Sequence, residues 1–375
     1  MMLQTRRQWL ASSLVTALSC KTLCAAEPAQ APWRDELEKI RLKHDLPALG
    51  AAWVTINGME AGAVVGVRKK GSDVPAGLND LWHLGSNTKA MTSTLAALAV
   101  QEGKLRWNST LAEIFPQQRD LKKHPLSQAT LTHLLSHWSG LPANAMWGMA
   151  ALGGKDVREQ RAAVLRMAVA LEDLPAPGTK HLYSNWGYAL AGHMLEKVWN
   201  ASWEESMQQK LFAPLGITRA GFGGTGTPGK LDQPWPHLAN SEPTRKNGPE
   251  VDNPPPLGPA GTVHMPLEDW ARFIAGHLQG AKGTAQLLKG AEVWRHLHRP
   301  TQAGESYAYG WHATERQWGG QVITHNGSNT MNHSVAWVAP EKGFAMLAVT
   351  NSGSKAGPKA LDEAVGLVLR QQAKL

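Results

Sequence analysis

A chain of 375 residues that is 42% apolar and 18% charged has the balance of a soluble globular protein, not of a disordered or fibrous one. It is long enough to bury a large core, in one complex domain or in two lobes. The formal charge of +8 is spread over Lys and Arg residues with acids between them, which describes a solvated basic surface and argues against nucleic-acid binding. Sixteen Trp stand against four Tyr and five Phe, so most of the indoles are expected to pack the interior, with a minority lining a pocket.

The N-terminus carries Thr5-Arg6-Arg7-Gln8-Trp9-Leu10, an apolar run over 10–18, and small residues at Cys24-Ala25-Ala26. This reads as a cleavable export signal over 1–26, too short for a stable membrane span. The Arg pair resembles a twin-arginine signal, and an ordinary secretory signal fits as well. Cleavage near Ala26 would remove Arg6, Arg7 and Lys21 and lower the formal charge by three, to +5. Both cysteines, Cys20 and Cys24, lie in that leader. An exported or periplasmic mature chain would then hold no disulfide, thiol nucleophile or thiolate metal site.

The spacing of Trp33, Leu37 and Ile40 predicts a helix over 32–44. Apolar runs over 49–56 and 61–68 around Asn57-Gly58 predict a β-hairpin. A helix is expected over 86–103, with Met91, Leu95 and Leu98 on its buried face and Gly103 as its stop. Helical patterns continue over 131–136, 157–171 and 187–198. Residues 219–262 are Gly/Pro-rich, including Pro254-Pro255-Pro256, and form a long loop that is either a surface excursion or a rim shaping a pocket. A helix follows over 267–278. Strands are expected over 310–316, 321–325, 334–338 and 344–350, then a final helix from Pro358 to about 371. The resulting fold class is α/β (α+β): an antiparallel sheet built from both chain ends and flanked by the terminal helices, with a mostly helical lobe inserted. The division is an α/β lobe of 27–85 plus 300–375 and a helical lobe of 86–299. A cleft between lobes is a favoured ligand site.

Ser86-Asn87-Thr88-Lys89 stands where the chain leaves the sheet for that lobe. Ser and Lys three apart in a first helical turn share a face, and an amine that has lost its proton can activate a neighbouring hydroxyl. Ser352-Gly353-Ser354-Lys355 has the same spacing, but it follows a strand and has no Tyr-x-Asn after it. Tyr183-Ser184-Asn185, the only Tyr-x-Asn in the chain, supplies a second proton carrier. A nearby ammonium would favour its phenolate. The Asn185 amide can hold Lys89 and a substrate carbonyl. Thr324-His325-Asn326-Gly327-Ser328 ends a strand, where Gly327 permits close approach of a substrate backbone. The N–H groups of Ser328 and Ser86 would form an oxyanion hole.

Ser-x-x-Lys, then Tyr-x-Asn, then His-x-Gly, in this order, resembles the penicillin-recognising serine hydrolases, and within them the branch of class C β-lactamases, D-alanyl-D-alanine peptidases, D-aminopeptidases and esterases. Leu134-Leu135-Ser136-His137-Trp138-Ser139-Gly140-Leu141-Pro142, Phe212-Ala213-Pro214-Leu215-Gly216, Pro259-Ala260-Gly261-Thr262, Tyr309-Gly310-Trp311 and Thr350-Asn351 resemble further segments of that group. The likeness runs from about Trp33 to the end. It implies the sandwiched antiparallel sheet, an acyl-enzyme on Ser86, proton transfer by Lys89 and Tyr183, substrate positioning by Asn185, and no cofactor. A small molecule or peptide is the expected partner, and the oligomeric state stays open.

The chain departs from the β-lactam-hydrolysing pattern at His325, where Lys is usual. A neutral imidazole anchors a carboxylate less well, which favours an ester, an amide or a D-amino-acid peptide over a β-lactam. The alternative is a penicillin-binding sensor or wall-binding protein that is acylated without efficient turnover. His83-Leu84-Gly85 precedes the serine and reads as structural. His296-Leu297-His298 lacks the acid of a zinc motif, and no Gly-x-Ser-x-Gly elbow is present.

Overall fold

The computed structural model describes residues 30–372. The expected export signal and both cysteines lie outside the described residues. Six strands form one antiparallel sheet in the order β2-β1-β9-β8-β7-β6. They are β1 (Ala48–Thr55), β2 (Gly58–Gly66), β6 (His312–Arg316), β7 (Gly320–Ser328), β8 (His333–Ala339) and β9 (Phe344–Thr350). The chain ends meet in its middle, where β1 pairs with β9 from Gly50↔Val349 to Thr55↔Phe344. The hairpin turns at Gly58, whose φ of 110° is open only to glycine at little cost.

The central strands read as nearly unbroken apolar runs because both faces are covered. On one face Leu49, Ala51, Ala63, Val65, Met346 and Ala348 meet Leu37 of helix α1 (Arg34–Lys43), Trp33 just before it, and Ala360, Leu361, Ala364 and Val368 of the C-terminal helix Gly357–Gln372. Both terminal helices therefore share this face. On the other, Ala48, Ala52, Val54, Val64, Leu347 and Val349 belong to the larger core with Leu267, Trp270, Phe273, Ile274 and Leu278. The helix that brings those last residues, Leu267–Ala281, packs on the strands, although it lies in the segment read as part of the helical lobe. Each large apolar side chain it buries contributes about 1.5–3 kcal/mol, and a sheet with two apolar faces needs this second cover.

Helix α2 (Thr88–Gln101) begins after a tight turn at Gly85–Asn87 and is buried along most of its length. The expected helices over 131–136, 157–171 and 187–198 appear as Leu131–Leu135, Val157–Val169 and Asn185–Trp199. The Ser184 side chain caps the last of these by accepting from Gly187 N–H at 3.0 Å. The helix Ala291–His298 lies where no helix was expected; two turns of mixed basic and apolar residues give too short a pattern to stand out. The Gly/Pro-rich segment contains the strand β4 (Gly221–Phe222), which joins β5 (Val263–Met265) and β3 (Trp82–His83) in a second sheet, ordered β3-β5-β4. Among the described residues no helix is long and apolar enough to cross a membrane.

Candidate active site

Ser86 lies in the turn that precedes α2, and Lys89 follows on its first turn. Lys89 Nζ donates to Ser86 Oγ at 3.0 Å, to Asn185 Oδ1 at 2.7 Å and to the Ala260 carbonyl at 2.7 Å. The side chain is wholly buried, and loss of hydration holds its pKa well below the usual lysine value. Burial therefore makes this amine give up a proton more readily than an ordinary lysine. Tyr183 OH donates to Ser86 Oγ at 3.0 Å, so two proton-carrying groups converge on one oxygen. Burial pushes the Tyr183 pKa up to about 12. This corrects the expectation of a favoured phenolate: desolvation of the phenol dominates over the opposing hydrogen bond with Ser86.

The segments 137–144 and 182–185 are bound backbone to backbone. Leu182 N donates to His137 O at 2.9 Å and Asn185 N to Ala143 O at 2.9 Å. His137 Nδ1 accepts from Ser184 N at 3.0 Å, and its ring lies 4.3 Å from the rings of both Tyr183 and Tyr307. Asn185 Nδ2 donates to Asn144 Oδ1 at 2.8 Å. On the opposite side Thr92 Oγ1 donates to Pro259 O at 2.7 Å and Thr88 Oγ1 accepts from Val263 N at 3.1 Å. These bonds clamp the Pro259-Ala260-Gly261-Thr262 segment against α2 and aim the Ala260 carbonyl at Lys89. Gly310 lies against the same turn: a Cβ there would come within 2.4 Å of Ala90 N.

The third motif lies inside β7, which runs on through Ser328, paired with His333 of β8. Gly327 is needed because a Cβ would fall 1.9 Å from the Leu84 carbonyl. At Gly85, with φ +50°, a Cβ would fall 2.3 Å from Ser328 N. The Ser86 turn and the end of β7 thus touch backbone to backbone, bringing the two expected N–H donors to one corner. His325 is 4% exposed. Its Nδ1 bonds to the Asn326 carbonyl at 2.6 Å and its Nε2 to Tyr307 OH at 3.1 Å. Burial first, then Lys89, lowers its pKa to about 3, so it is a neutral buried group beneath the site.

A cavity of about 350 Å³ opens on Ser86. Asn144, Asn185, Asn253, Asn329 and Thr330 line it together with Trp147, Leu257 and Ser328. Asn253 and Leu257 show that the Gly/Pro-rich segment forms part of its rim. The second Ser-x-x-Lys is not built this way: Ser352 is buried and Lys355 is exposed. Among the described residues no group of three or more His, Cys, Asp or Glu is arranged to hold a metal ion. Asn144, Tyr307 and the Ala260 carbonyl all bear on the site without belonging to a recognisable spacing. Only the segment around Ala260 gave a signal, through its likeness to a family motif.

An antiparallel sheet between helical layers, with the Ser86 turn at its β7 end, defines the β-lactamase/transpeptidase-like fold. The chain belongs to the Beta-lactamase family, whose profile matches residues 39–370 and whose members are serine hydrolases. It is 26% identical over 350 residues to penicillin-binding protein 4 of Amycolatopsis lactamdurans, covering 86% of this chain and 85% of that one. A putative D-alanyl-D-alanine carboxypeptidase of Escherichia coli (strain K12) is 28% identical over 153 residues, 40% of this chain and 35% of that protein. The octameric penicillin-binding protein homologue from Pyrococcus abyssi has a TM-score of 0.71 at 22% identity, covering 90% of this chain and 77% of that one. For the D-alanine carboxypeptidase AmpC from Burkholderia cenocepacia the TM-score is 0.69 at 19% identity, covering 88% and 99%.

Proposed function

We propose that the protein is an exported hydrolase that cleaves an ester, amide or D-amino-acid peptide through an acyl-enzyme on Ser86. The observation that carries this reading is the convergence of Lys89 Nζ and Tyr183 OH on Ser86 Oγ, each at 3.0 Å. Lys89, in its unprotonated form, takes the Ser86 proton as Oγ bonds to the substrate carbonyl carbon. The carbonyl electron pair moves onto oxygen, where the N–H groups of Ser86 and Ser328 receive it. Tyr183, a phenol at neutral pH, passes a proton to the departing oxygen or nitrogen and is refilled from Lys89. Water then attacks the acyl carbon, with the same groups carrying protons in reverse, and Ser86 is freed. Asn185, held by Lys89 and Asn144, orients the acyl side chain. The cleft lies between an α/β lobe and a helical lobe.

The amide- and hydroxyl-lined cavity supports an acyl group recognised by hydrogen bonds. His325, kept neutral by burial, supports substrates that need no cation for a terminal carboxylate, and so favours an ester, an amide or a D-amino-acid peptide over a β-lactam. Side-by-side assay of nitrocefin, short-chain p-nitrophenyl esters, D-amino-acid amides and D-Ala-D-Ala peptides with wild type and Ser86→Ala tests the reading. Turnover should vanish in the variant, and intact-mass spectrometry should show a transient adduct on Ser86. A variant as active as wild type would overturn the mechanism. A persistent adduct would make the protein an acylated sensor instead.

A further inference from the structure

We propose that Asp252 is a positioning residue that sets the spacing of the two oxyanion donors; this rests on the serine-hydrolase reading above. Asp252 comes from the Gly/Pro-rich segment, one residue before Asn253 of the cavity rim, yet its side chain is only 1% exposed. Its two oxygens reach in two directions. Oδ2 is 2.7 Å from His83 Nε2, and Oδ1 accepts from Asn329 Nδ2 at 2.9 Å. His83 Nδ1 accepts from Gly85 N–H at 3.1 Å, so the imidazole proton sits on Nε2 and points at the carboxylate. One branch therefore ends on the residue before Ser86, and the other on the residue after Ser328. The Asn329 side chain is fixed in turn, because its Oδ1 accepts from Met331 N at 3.2 Å and Asn332 Nδ2 at 3.0 Å.

The carboxylate is thus a brace across the corner where the Ser86 turn and the end of β7 meet. That corner has no slack, since even a methyl group on Gly85 would run into Ser328 N. Both branches need an acceptor at 252, and an ionised carboxylate is the side chain of this length that offers two. A neutral amide offers one oxygen and turns its nitrogen toward a donor. Asp252 touches neither Ser86 nor the cavity in this arrangement and acts only through His83, Gly85 and Asn329.

The test uses the whole protein with p-nitrophenyl acetate. Asp252→Asn should lower kcat by about 10- to 100-fold, the range expected when an oxyanion donor is displaced by a fraction of an ångström to an ångström. KM should stay within about threefold, and the pH profile should keep its shape because Lys89 and Tyr183 are untouched. The double variant Asp252→Asn/Asn329→Asp gives every donor an acceptor again. The amide at 252 accepts from His83 and donates to the carboxylate at 329, which still accepts from Met331 and Asn332. It should recover most of the lost kcat. Asn329→Ala cuts one branch alone and should lower kcat in the same direction. A lowered Tm with unchanged kcat in both single variants would make Asp252 a purely structural pin and overturn the proposal. A crystal structure of Asp252→Asn reads the geometry without turnover: the proposal requires Gly85 and Ser328 to move apart, and an unchanged corner sinks it. If wild type neither turns over the ester nor acylates at Ser86, the hydrolase reading falls, while this structural result still decides the brace.

Discussion

Replacing Lys89 by Met tests the chemistry and the burial argument together. The substitution keeps an unbranched chain of similar length and removes the amine. The Ser86 hydroxyl then loses its closest base, which for general-base catalysis costs about 10²- to 10⁴-fold. That is about 3–5.5 kcal/mol of transition-state stabilisation at about 1.4 kcal/mol per decade. Stability should respond far less. The wild-type fold buries an amine completely, and removing it relieves that cost. In exchange the Ala260 carbonyl and Asn185 Oδ1 lose their donor, at about 1–3 kcal/mol each if water does not replace it. The two effects oppose, so the net change should stay within about 2 kcal/mol, a shift of only a few degrees in Tm for a chain of this size. Measured with p-nitrophenyl acetate, kcat/KM should fall by two to four decades while the unfolding transition barely moves. The wild-type rate should also fall toward acid, because the amine must be unprotonated to accept the Ser86 proton and its pKa is lowered. A Lys89→Met variant within threefold of wild type, or one with unchanged pH dependence, would refute Lys89 as the base.

Gly327→Ala places a Cβ 1.9 Å from the Leu84 carbonyl and 2.6 Å from Ser334 Oγ. It should displace the Ser86 turn, lowering kcat by about 10-fold or more together with Tm; unchanged kcat and Tm would contradict the close approach. Acid should destabilise the fold before the carboxylates titrate. Burial lowers the pKa of His237 and His264 to about 4, that of His298 to about 3, and that of His277 well below its ordinary value. Each is neutral when folded and titrates near 6.5 when unfolded. Their contribution is fully present above about pH 6.5 and is lost as pH falls toward 4 and 3, each group adding a slope of at most about 1.4 kcal/mol per pH unit. Urea midpoints measured at pH 7.5, 6 and 5 should drop steadily; a flat series would mean these histidines protonate without unfolding the chain.

Much of this protein could be read along the chain. Apolar runs and the Asn57-Gly58 turn marked the strands, because register and burial follow from local alternation and turn chemistry. Ser86, Lys89, Tyr183 and Asn185 were legible because motifs confine them to short windows, and the structure links them in one hydrogen-bonded chain, Tyr183 to Ser86 to Lys89 to Asn185. What the sequence could not show were relations between residues far apart in it. The helix Leu267–Ala281 gave a clear pattern, but only packing against strands from both chain ends decided that it covers the sheet. His325 looked like a partial substitute for a substrate anchor, and burial against Tyr307 made it a neutral group under the site. Burial of the Tyr183 phenol, which the sequence does not show, raises its pKa instead of favouring the phenolate. Asp252 had no motif at all, since its two partners lie 169 and 77 residues away. The order of the motifs determined which serine matters. Desolvation, which depends on what the whole fold packs around a group, decided the direction in which the pKa values of Lys89 and Tyr183 beside it move.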